Sequence, residues 1–367
     1  MGSISIVVLV IVAVGFAWNL GVHYTGAVMG MPYAARSIAL CPALVLIAIL
    51  TVLGATFASG GVETTVGQHI VSDRSVSIPD AIVIVLSAGL LTLLYNYQKI
   101  PTSTIQILVF CVVGVGLAGH LPIFWETIGK LALVWVCAPV VAFGLGFLFT
   151  RLLDLVVPAE LARVQTERQT SEPLTRPKTG WIAHAFPGVA PSAQQWVEKA
   201  APGTLTALAL RVLPLLLVCV GIAASFVLGA NDVSNATGVF LLTHLFSPTL
   251  AGFIGGVAMA IGALTWGRRI LKTVAFDVVK MDLTMASAAQ GVQALVVLAA
   301  VSQGFFTSMN QALIGAMAGT GAARGRETVQ RKQIVGILRG WLIGPLSGFL
   351  LAFVLEWLSR LLLHLLS

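Results

Sequence analysis

The sequence predicts an all-α polytopic membrane protein built as an inverted-topology repeat, with about five transmembrane segments per half and broken helices meeting at the midplane. Three observations predict it. Hydrophobic residues make up 57% of the 367 and charged residues 10%, with a mean hydropathy of +0.96. No soluble globular domain has that balance. Apolar stretches long enough to cross a bilayer recur along the chain, and the polar breaks of the first half reappear in the second.

The apolar stretches fall at 4–31, 38–58, 80–97, 101–119, 128–150, 206–244, 248–266, 283–300, 305–322 and 334–358, with roughly 20 residues per crossing as the yardstick. The first and sixth are long because a polar break interrupts each. In the first the break holds Asn19, His23, Tyr24 and Thr25; in the sixth it is the run Gly229 to Gly238. The fourth opens on Pro101-Thr102-Ser103, where proline suits a helix start because its missing N–H has no intrahelical acceptor to lose. Residues 151–205 differ in kind: Arg163 to Arg168, Glu172-Pro173, Arg176-Pro177-Lys178 and Pro187-Gly188 form a polar, proline-punctuated connector, with a short interfacial helix expected over Gln194 to Ala201. The chain therefore divides into a first transmembrane repeat (1–150), a cytoplasmic linker loop (151–205) and a second, inverted repeat (206–367).

Charge orients the threading. The net charge is +7. With the N-terminus outside, Arg36, Lys99, the 151–205 loop, Arg268, Arg269, Lys272, Lys280, Arg324, Arg326, Arg331, Lys332 and Arg339 fall on one face, and only Arg74, Lys130 and Arg360 on the other. The crowded face is cytoplasmic by the positive-inside rule. This implies a bacterial-type cytoplasmic (inner) membrane with both termini extracytoplasmic. The basic residues show no aromatic-interleaved stripe, so nucleic acid is not a partner. Met1 to Ala17 has no basic start and no A-x-A site, so a cleaved signal is not expected. Cys41, Cys111, Cys137 and Cys219 sit in apolar segments without metal-ligand spacing and read as buried, inert thiols.

Three matches relate the halves in order. Asn19-x-x-x-His23-x-Thr25-Gly26 lines up with Asn231-x-x-x-Asn235-x-Thr237-Gly238. Thr102-Ser103-x-x-Gln106 followed by Gly114-x-Gly116 lines up with Thr307-Ser308-x-x-Gln311 followed by Gly319-x-Gly321. Trp135-x-x-x-Pro139 lines up with Trp341-x-x-x-Pro345. An odd number of crossings per half inverts the second copy, the architecture of secondary transporters with substrate and ions at the midplane.

Irregular polar backbone survives in hydrocarbon only around an enclosed or wet cavity. The patches suit an oxyanion. Half-helix N-termini offer N–H groups and a positive dipole end, short hydroxyls and amides add donors, and glycines let the backbone approach. The candidate substrate-binding residues are Asn19, Thr25, Ser103, Thr104, Asn231, Ser234, Asn235, Thr237, Ser308 and Asn310. The competing readings are helix-gluing Asn and Ser, and Ser and Thr bonding back to their own carbonyls. Of the fourteen acidic residues, Asp232 alone threads near mid-membrane, where an ionisable group is functional by default. It can bind Na⁺ as a metal ligand or carry a proton. His23, matching Asn235, is a second cation-coupling candidate, against the alternative of a neutral histidine bonded within the bundle.

Gly229-Ala230-Asn231-Asp232-Val233-Ser234-Asn235-Ala236 resembles the G-A-N-D-V-A-N-A signature of the inorganic phosphate transporter family. Pro101 to Gln106 and Thr307 to Gln311 look like the two copies of its P-V-S-T-T-H motif, and Gly319 to Gly325 resembles the G-x-G-x-A-R-G that follows. Departures exist: Leu20 stands where phosphate members carry a first-repeat aspartate, Gln106 and Gln311 replace histidines, and Phe306 replaces a proline. The first repeat, Ala17-x-Asn19-x-Gly21 to Ala27-x-Met29-Gly30, is similar to the sulfate permease branch. The resemblance implies a secondary active transporter, not an enzyme. It would import sulfate by H⁺ or Na⁺ symport, with phosphate as the alternative anion and no cofactor beyond the coupling ion. Fewer carboxylates and histidines suit a dianion that is not recognised by its protons. A passive anion channel fits poorly, because Asp232 repels anions unless neutralised; no catalytic constellation supports a membrane enzyme; and a purely structural protein needs no paired polar breaks. The lipid bilayer and an inorganic anion are the partners, and a homodimer is left open.

Overall fold

In hydrocarbon a chain must satisfy its own backbone, which leaves helices as the form open to long apolar segments. The computed structural model describes residues 2–72, 76–98, 102–171, 184–189, 205–277, 281–325 and 331–366. Within them lie α1 (Gly2–Ala34), α2 (Leu40–Ala58), α3 (Gly60–Gln68), α4 (Ile78–Tyr97), α5 (Thr104–Ala118), α6 (Trp125–Asp154), α7 (Ala159–Ser171), α8 (Leu205–Asp232), α9 (Ser234–Leu242), α10 (Pro248–Thr265), α11 (Gly267–Asp277), α12 (Leu283–Val301), α13 (Met309–Ala323) and α14 (Arg331–Leu366). Among the described residues the only strand-like pairing is a bridge between Val71 and Ile123.

Among the described residues, eight helices are long and apolar enough to cross a membrane, α8 and α9 together counting as one. The protein is an integral membrane protein. Two of the ten expected crossings are built differently: α5 and α13 have 15 residues each. At ~1.5 Å per residue they reach about 22 Å, short of a hydrocarbon core of about 30 Å. Each begins inside the bundle after an extended lead-in, and α5 with its lead-in returns the chain to the end where α4 starts, Phe124 N donating to the Ile70 carbonyl at 3.0 Å. The polar breaks are corrected too. α1 runs without interruption through Asn19 and Thr25, because polar side chains on a helix need partners but do not require its backbone to open. In the second half the break is a single residue, Val233, whose φ of −58° and ψ of −38° stay helical. Its carbonyl accepts from both Ala236 N (3.0 Å) and Thr237 N (3.1 Å), a local tightening of the chain.

The packing crosses between halves. α1 lies against α4, α8, α10 and α11, while α8 lies against α2 and α12; α6 packs on α13, and α14 on α5. Backbones approach closely at the crossings. A Cβ on Gly21 would stand 1.9 Å from the Met259 carbonyl oxygen, and one on Gly262 would stand 2.0 Å from that of Trp18. α1 and α10 therefore meet through reciprocal glycines, the close contact that drives helix association where the hydrophobic effect is absent. Gly54 on α2 and Gly229 on α8 do the same against Phe226 and Thr51.

Two ion-pair clasps tie loop-proximal helix ends. Arg324, after α13, donates to both oxygens of Asp154 on α6 and to Asp282, the N-cap of α12, at 2.7 Å. Arg360 on α14 pairs with Glu356 (2.6 Å) and with Asp80 (3.4 Å), which also closes the capping box of α4. In the connector, α7 docks through Gln165 Nε2 onto the Leu210 carbonyl (2.8 Å) and through the Thr166 hydroxyl, which accepts from Leu283 N (3.0 Å). The expected helix at Gln194 to Ala201 lies outside the described residues. All four cysteines are free, but only Cys111 is buried in protein; Cys41, Cys137 and Cys219 face outward.

Candidate functional site

The two Ser-Thr motifs become helix starts. Ser103 is the N-cap of α5, its hydroxyl accepting from Gln106 N at 3.4 Å; Ser308 caps α13 the same way from Gln311 N at 3.4 Å. Capping satisfies one donor and leaves other first-turn N–H groups without an intrahelical acceptor. α5 begins at Thr104, and Pro101 lies outside the described residues.

Around these starts the halves interlock. Asn231 Nδ2 donates to the Thr307 carbonyl (2.8 Å) while its Oδ1 accepts from Thr307 N (3.1 Å), so the amide clamps the lead-in to α13 by two bonds. The same Nδ2 donates to Asp232 Oδ2 at 2.9 Å. Asn235 Nδ2 bonds Thr104 Oγ1 at 3.2 Å and lies 3.5 Å from Asp232 Oδ1. Tyr24 shares a hydrogen bond with Thr104 at 2.8 Å and stands beside Asp232. A second thread runs from Asn19, whose Oδ1 accepts from Asn96 Nδ2 (3.3 Å), through Asn96 and His23 to Asn310, 3.3 Å from His23 Nε2. Gln290 and Gln293 on α12 support the floor, reaching the Ala27 carbonyl at 3.0 Å and the Met309 carbonyl at 3.3 Å.

The structure thus gathers Asn19, His23, Thr104, Asn231, Asp232, Asn235 and Asn310 into two hydrogen-bonded threads that join segments 76 to 287 residues apart, with Ser103 and Ser308 at the helix starts. Three others spend their hydroxyl protons on their own segment: Thr25 on the Gly21 carbonyl (2.7 Å), Ser234 on that of Asn231 (3.1 Å) and Thr237 on that of Val233 (2.9 Å). The motif glycines serve packing: a Cβ at Gly229 would meet α2, and one at Gly238 would meet Val66. Several buried polar atoms at the helix starts have no protein partner among the described residues: Asn235 Oδ1, Thr307 Oγ1, Gln106 Oε1 and both ends of the Gln311 amide. Such groups are costly unless a solute or water meets them. The donors named here are neutral amides and hydroxyls. Asp232 is fully buried, and so is Leu20, which occupies the matching position of α1.

Sequence reasoning missed Asn96, Gln290, Gln293 and Glu63. Asp232 threads alone near mid-membrane in the sequence, but it is not the only carboxylate buried in the bundle, and Glu63 is another. On the nine-residue α3, Glu63 is fully buried and its Oε1 is 2.9 Å from Thr237 Oγ1. Its signal was faint: α3 is too short for a membrane-span window, and only the valines at 62 and 66, one turn apart, hint that this face is buried.

The profile described as "Phosphate transporter family" matches residues 20–359. Among similar proteins, a sulfate permease, CysP of Bacillus subtilis, is 23% identical over 93% of this chain and 84% of its own length. A putative phosphate permease of Pyrococcus horikoshii is 24% identical over 96% of this chain and 97% of its own. The chloroplastic inorganic phosphate transporter 2-1 of Arabidopsis thaliana is 25% identical over 93% and 70%. A solved structure titled "The sodium-dependent phosphate transporter" superposes with a TM-score of 0.81 at 21% identity, covering 97% of this chain and 99% of that one.

Proposed function

This chain belongs to the phosphate transporter family, and from that premise we propose that it imports an inorganic oxyanion by cation symport, with sulfate as the preferred anion. One observation carries the proposal. Two serine-capped helix starts, one from each half, converge with neutral amides and hydroxyls on a single buried carboxylate. Helix N-termini with neutral donors bind an anion without the permanent ion pair that would resist release. Ser103, Thr104, Ser308, Asn310 and Asn235 are the proposed donors. Asn19, Asn231, Ser234, Thr25 and Thr237 hold the shape around them.

The preference for sulfate follows from proton counting. Phosphate near neutrality carries one or two protons, each needing an acceptor; sulfate carries none. This cluster has glutamines at 106 and 311 and leucine at 20, so its one carboxylate acceptor is Asp232. The sulfate permease relative supports the same choice. Phosphate is the second reading, supported by the family description and the phosphate permease relatives. Asp232 is the proposed coupling group, since a carboxylate beside a dianion needs a cation between them; His23 is the further candidate for a proton. The fold neighbour's title supports Na⁺ as an alternative coupling ion at Asp232.

Alternating access is proposed to rest on an inverted repeat. The order of helix lengths supports it: 33, 19, 9, 20, 15 and 30 residues for α1 to α6. The second half runs α8 with α9, then 18, 11, 19, 15 and 36 residues. The reciprocal packing of α1 on α10 and α8 on α2, and of α6 on α13 and α14 on α5, supports it as well. With both termini extracytoplasmic, a cysteine at Ser171 reacts with an impermeant reagent only from inside and one at Ser75 only from outside; the reverse pattern sinks the topology. Uptake of labelled sulfate and phosphate into proteoliposomes under separate Na⁺ and H⁺ gradients tests the function. Equal indifference to both anions would remove the transporter reading, and faster phosphate uptake would reverse the choice of anion.

A further inference from the structure

We infer that Glu63 is a second ionisable group of the transport cycle, holding a proton in this conformation and signalling its loss through Thr237 to the junction between α8 and α9. The inference rests on the coupled-transport reading above but concerns a residue behind the anion cluster, on the other side of α9.

Hydrogen-bond counting supplies the argument. Thr237 Oγ1 is 2.9 Å from Glu63 Oε1 and also 2.9 Å from the Val233 carbonyl oxygen. A hydroxyl has one proton and cannot donate to both. The other hydroxyl beside this carboxyl, Ser59, donates to the Ala55 carbonyl at 2.5 Å. Both neighbouring hydroxyls therefore already serve backbone carbonyls, which can only accept. The arrangement closes when the carboxyl is the donor: Glu63 O–H to Thr237 Oγ1, and Thr237 O–H to the Val233 carbonyl. An ionised Glu63 would break that chain, and its Oε2 is buried without a protein partner among the described residues.

Among the described residues, the helices packed on α3 bring no countercharge close to Glu63. The elements packed on α3 are α2, α8, α9 and α10. Of these, α9 and α10 carry no titratable group, and α2 carries only Cys41. α8 carries Arg211, Cys219 and Asp232; Arg211 is about 30 Å from Asp232 at ~1.5 Å per residue. His69 caps the far end of α3 itself. The nearest of these in the chain to Thr237 is Asp232, of like charge, so ionising both carboxyls together is disfavoured. An unpaired buried carboxylate is among the costliest groups a fold can hold.

Loss of the proton then has a defined consequence. The Glu63 O–H bond breaks and the proton leaves to water; the Thr237 hydroxyl rotates, with no bond broken, to donate to the new carboxylate. The Val233 carbonyl keeps its two backbone donors and loses the third. That carbonyl lies in the one interruption of the signature segment, with Asp232 on one side and Asn235, the partner of Thr104, on the other. Protonation at Glu63 is thereby linked to the geometry of both the carboxylate and the anion donors.

The test uses the full chain. Glu63→Gln keeps a donor toward Thr237 and cannot ionise, Thr237→Val removes the hydroxyl, and Thr237→Ser restores it. In proteoliposomes, Glu63→Gln and Thr237→Val are expected to lose proton-driven accumulation by about tenfold or more, with anion counterflow retained in Glu63→Gln and Thr237→Ser recovering the wild-type rate. Independently of transport, pH-difference infrared spectra of the purified protein are expected to show a protonated-carboxyl band that vanishes in Glu63→Gln and shifts in Thr237→Val. A band unchanged in Glu63→Gln overturns the inference whatever the transport result. So does undiminished proton-driven uptake by a normally folded Glu63→Gln. Failure of the wild type to move either anion refutes the coupled-transport reading and any role in a cycle, while the infrared band still reports whether Glu63 holds a proton.

Discussion

The polar patch of α1 and that of the α8–α9 junction occupy matching positions, yet they are built differently. On α1, Asn19 and Thr25 each make one side-chain bond from an unbroken helix, and His23 bridges Asn96 and Asn310. At the junction, Asn231 makes three bonds, Asp232 brings a buried charge, and Val233 interrupts the helix. The difference teaches that a polar patch alone does not open a membrane helix. Where only side chains need partners, neighbouring helices supply them. At the junction a backbone lead-in, at Thr307, must also be satisfied, and the signature segment is shaped to clamp it.

That contrast can be broken or sharpened by substitution. The largest effect is expected at Asp232, which has no counterpart on α1. Asp232→Asn keeps the shape and should abolish accumulation against a gradient, while exchange of labelled for unlabelled anion continues; concentrative uptake that survives would shift the coupling role to His23 or Glu63. Next come the two asparagines. Asn231→Ala leaves the Thr307 N–H and carbonyl buried and unpaired, at roughly 1–3 kcal/mol each, so the loss should be about 2–6 kcal/mol. Asn19→Ala removes one bond and should cost about 1 kcal/mol. Thermal unfolding of the purified variants measures both, and equal losses would erase the distinction between the patches.

A smaller and symmetrical effect is expected at the helix starts. Ser103→Ala and Ser308→Ala each remove a cap, typically worth ~1 kcal/mol, and should weaken anion binding by about tenfold in calorimetry. Unaltered affinity in both would leave capping as their whole role. The smallest effect belongs to Thr25, whose hydroxyl is bonded within its own helix. Thr25→Val should change stability and affinity by no more than about 0.5 kcal/mol. A drop matching that of Ser103→Ala would make Thr25 a direct anion donor.

Much of this was legible in the residues. Length and hydropathy identified the class, Pro101-Thr102-Ser103 pointed to a helix start, and the paired motifs indicated which segments correspond. Less legible was the depth of each helix. α5 and α13 looked like full-length membrane helices because their apolar runs continue into the extended lead-ins, and composition alone does not separate the two. Glu63 escaped notice for a similar reason: in a chain whose helices are apolar on every side, no stripe marks the buried face, so a short helix folded back into the bundle resembles a loop.

The sequence by itself determined that this chain crosses a membrane, that it carries corresponding polar motifs in its two halves, and that Asp232 lies deep. Hydrophobicity and local capping are properties of neighbouring residues and can be read in order. Tertiary structure alone decided which polar atoms have a proton to give. Thr25 and Thr104 look alike in the chain, but Thr104 meets Tyr24 and Asn235 across the bundle whereas Thr25 meets only its own helix. The physical reason is that a hydrogen bond in a dry interior depends on what stands opposite, and what stands opposite is set by the crossing of helices far apart in the chain.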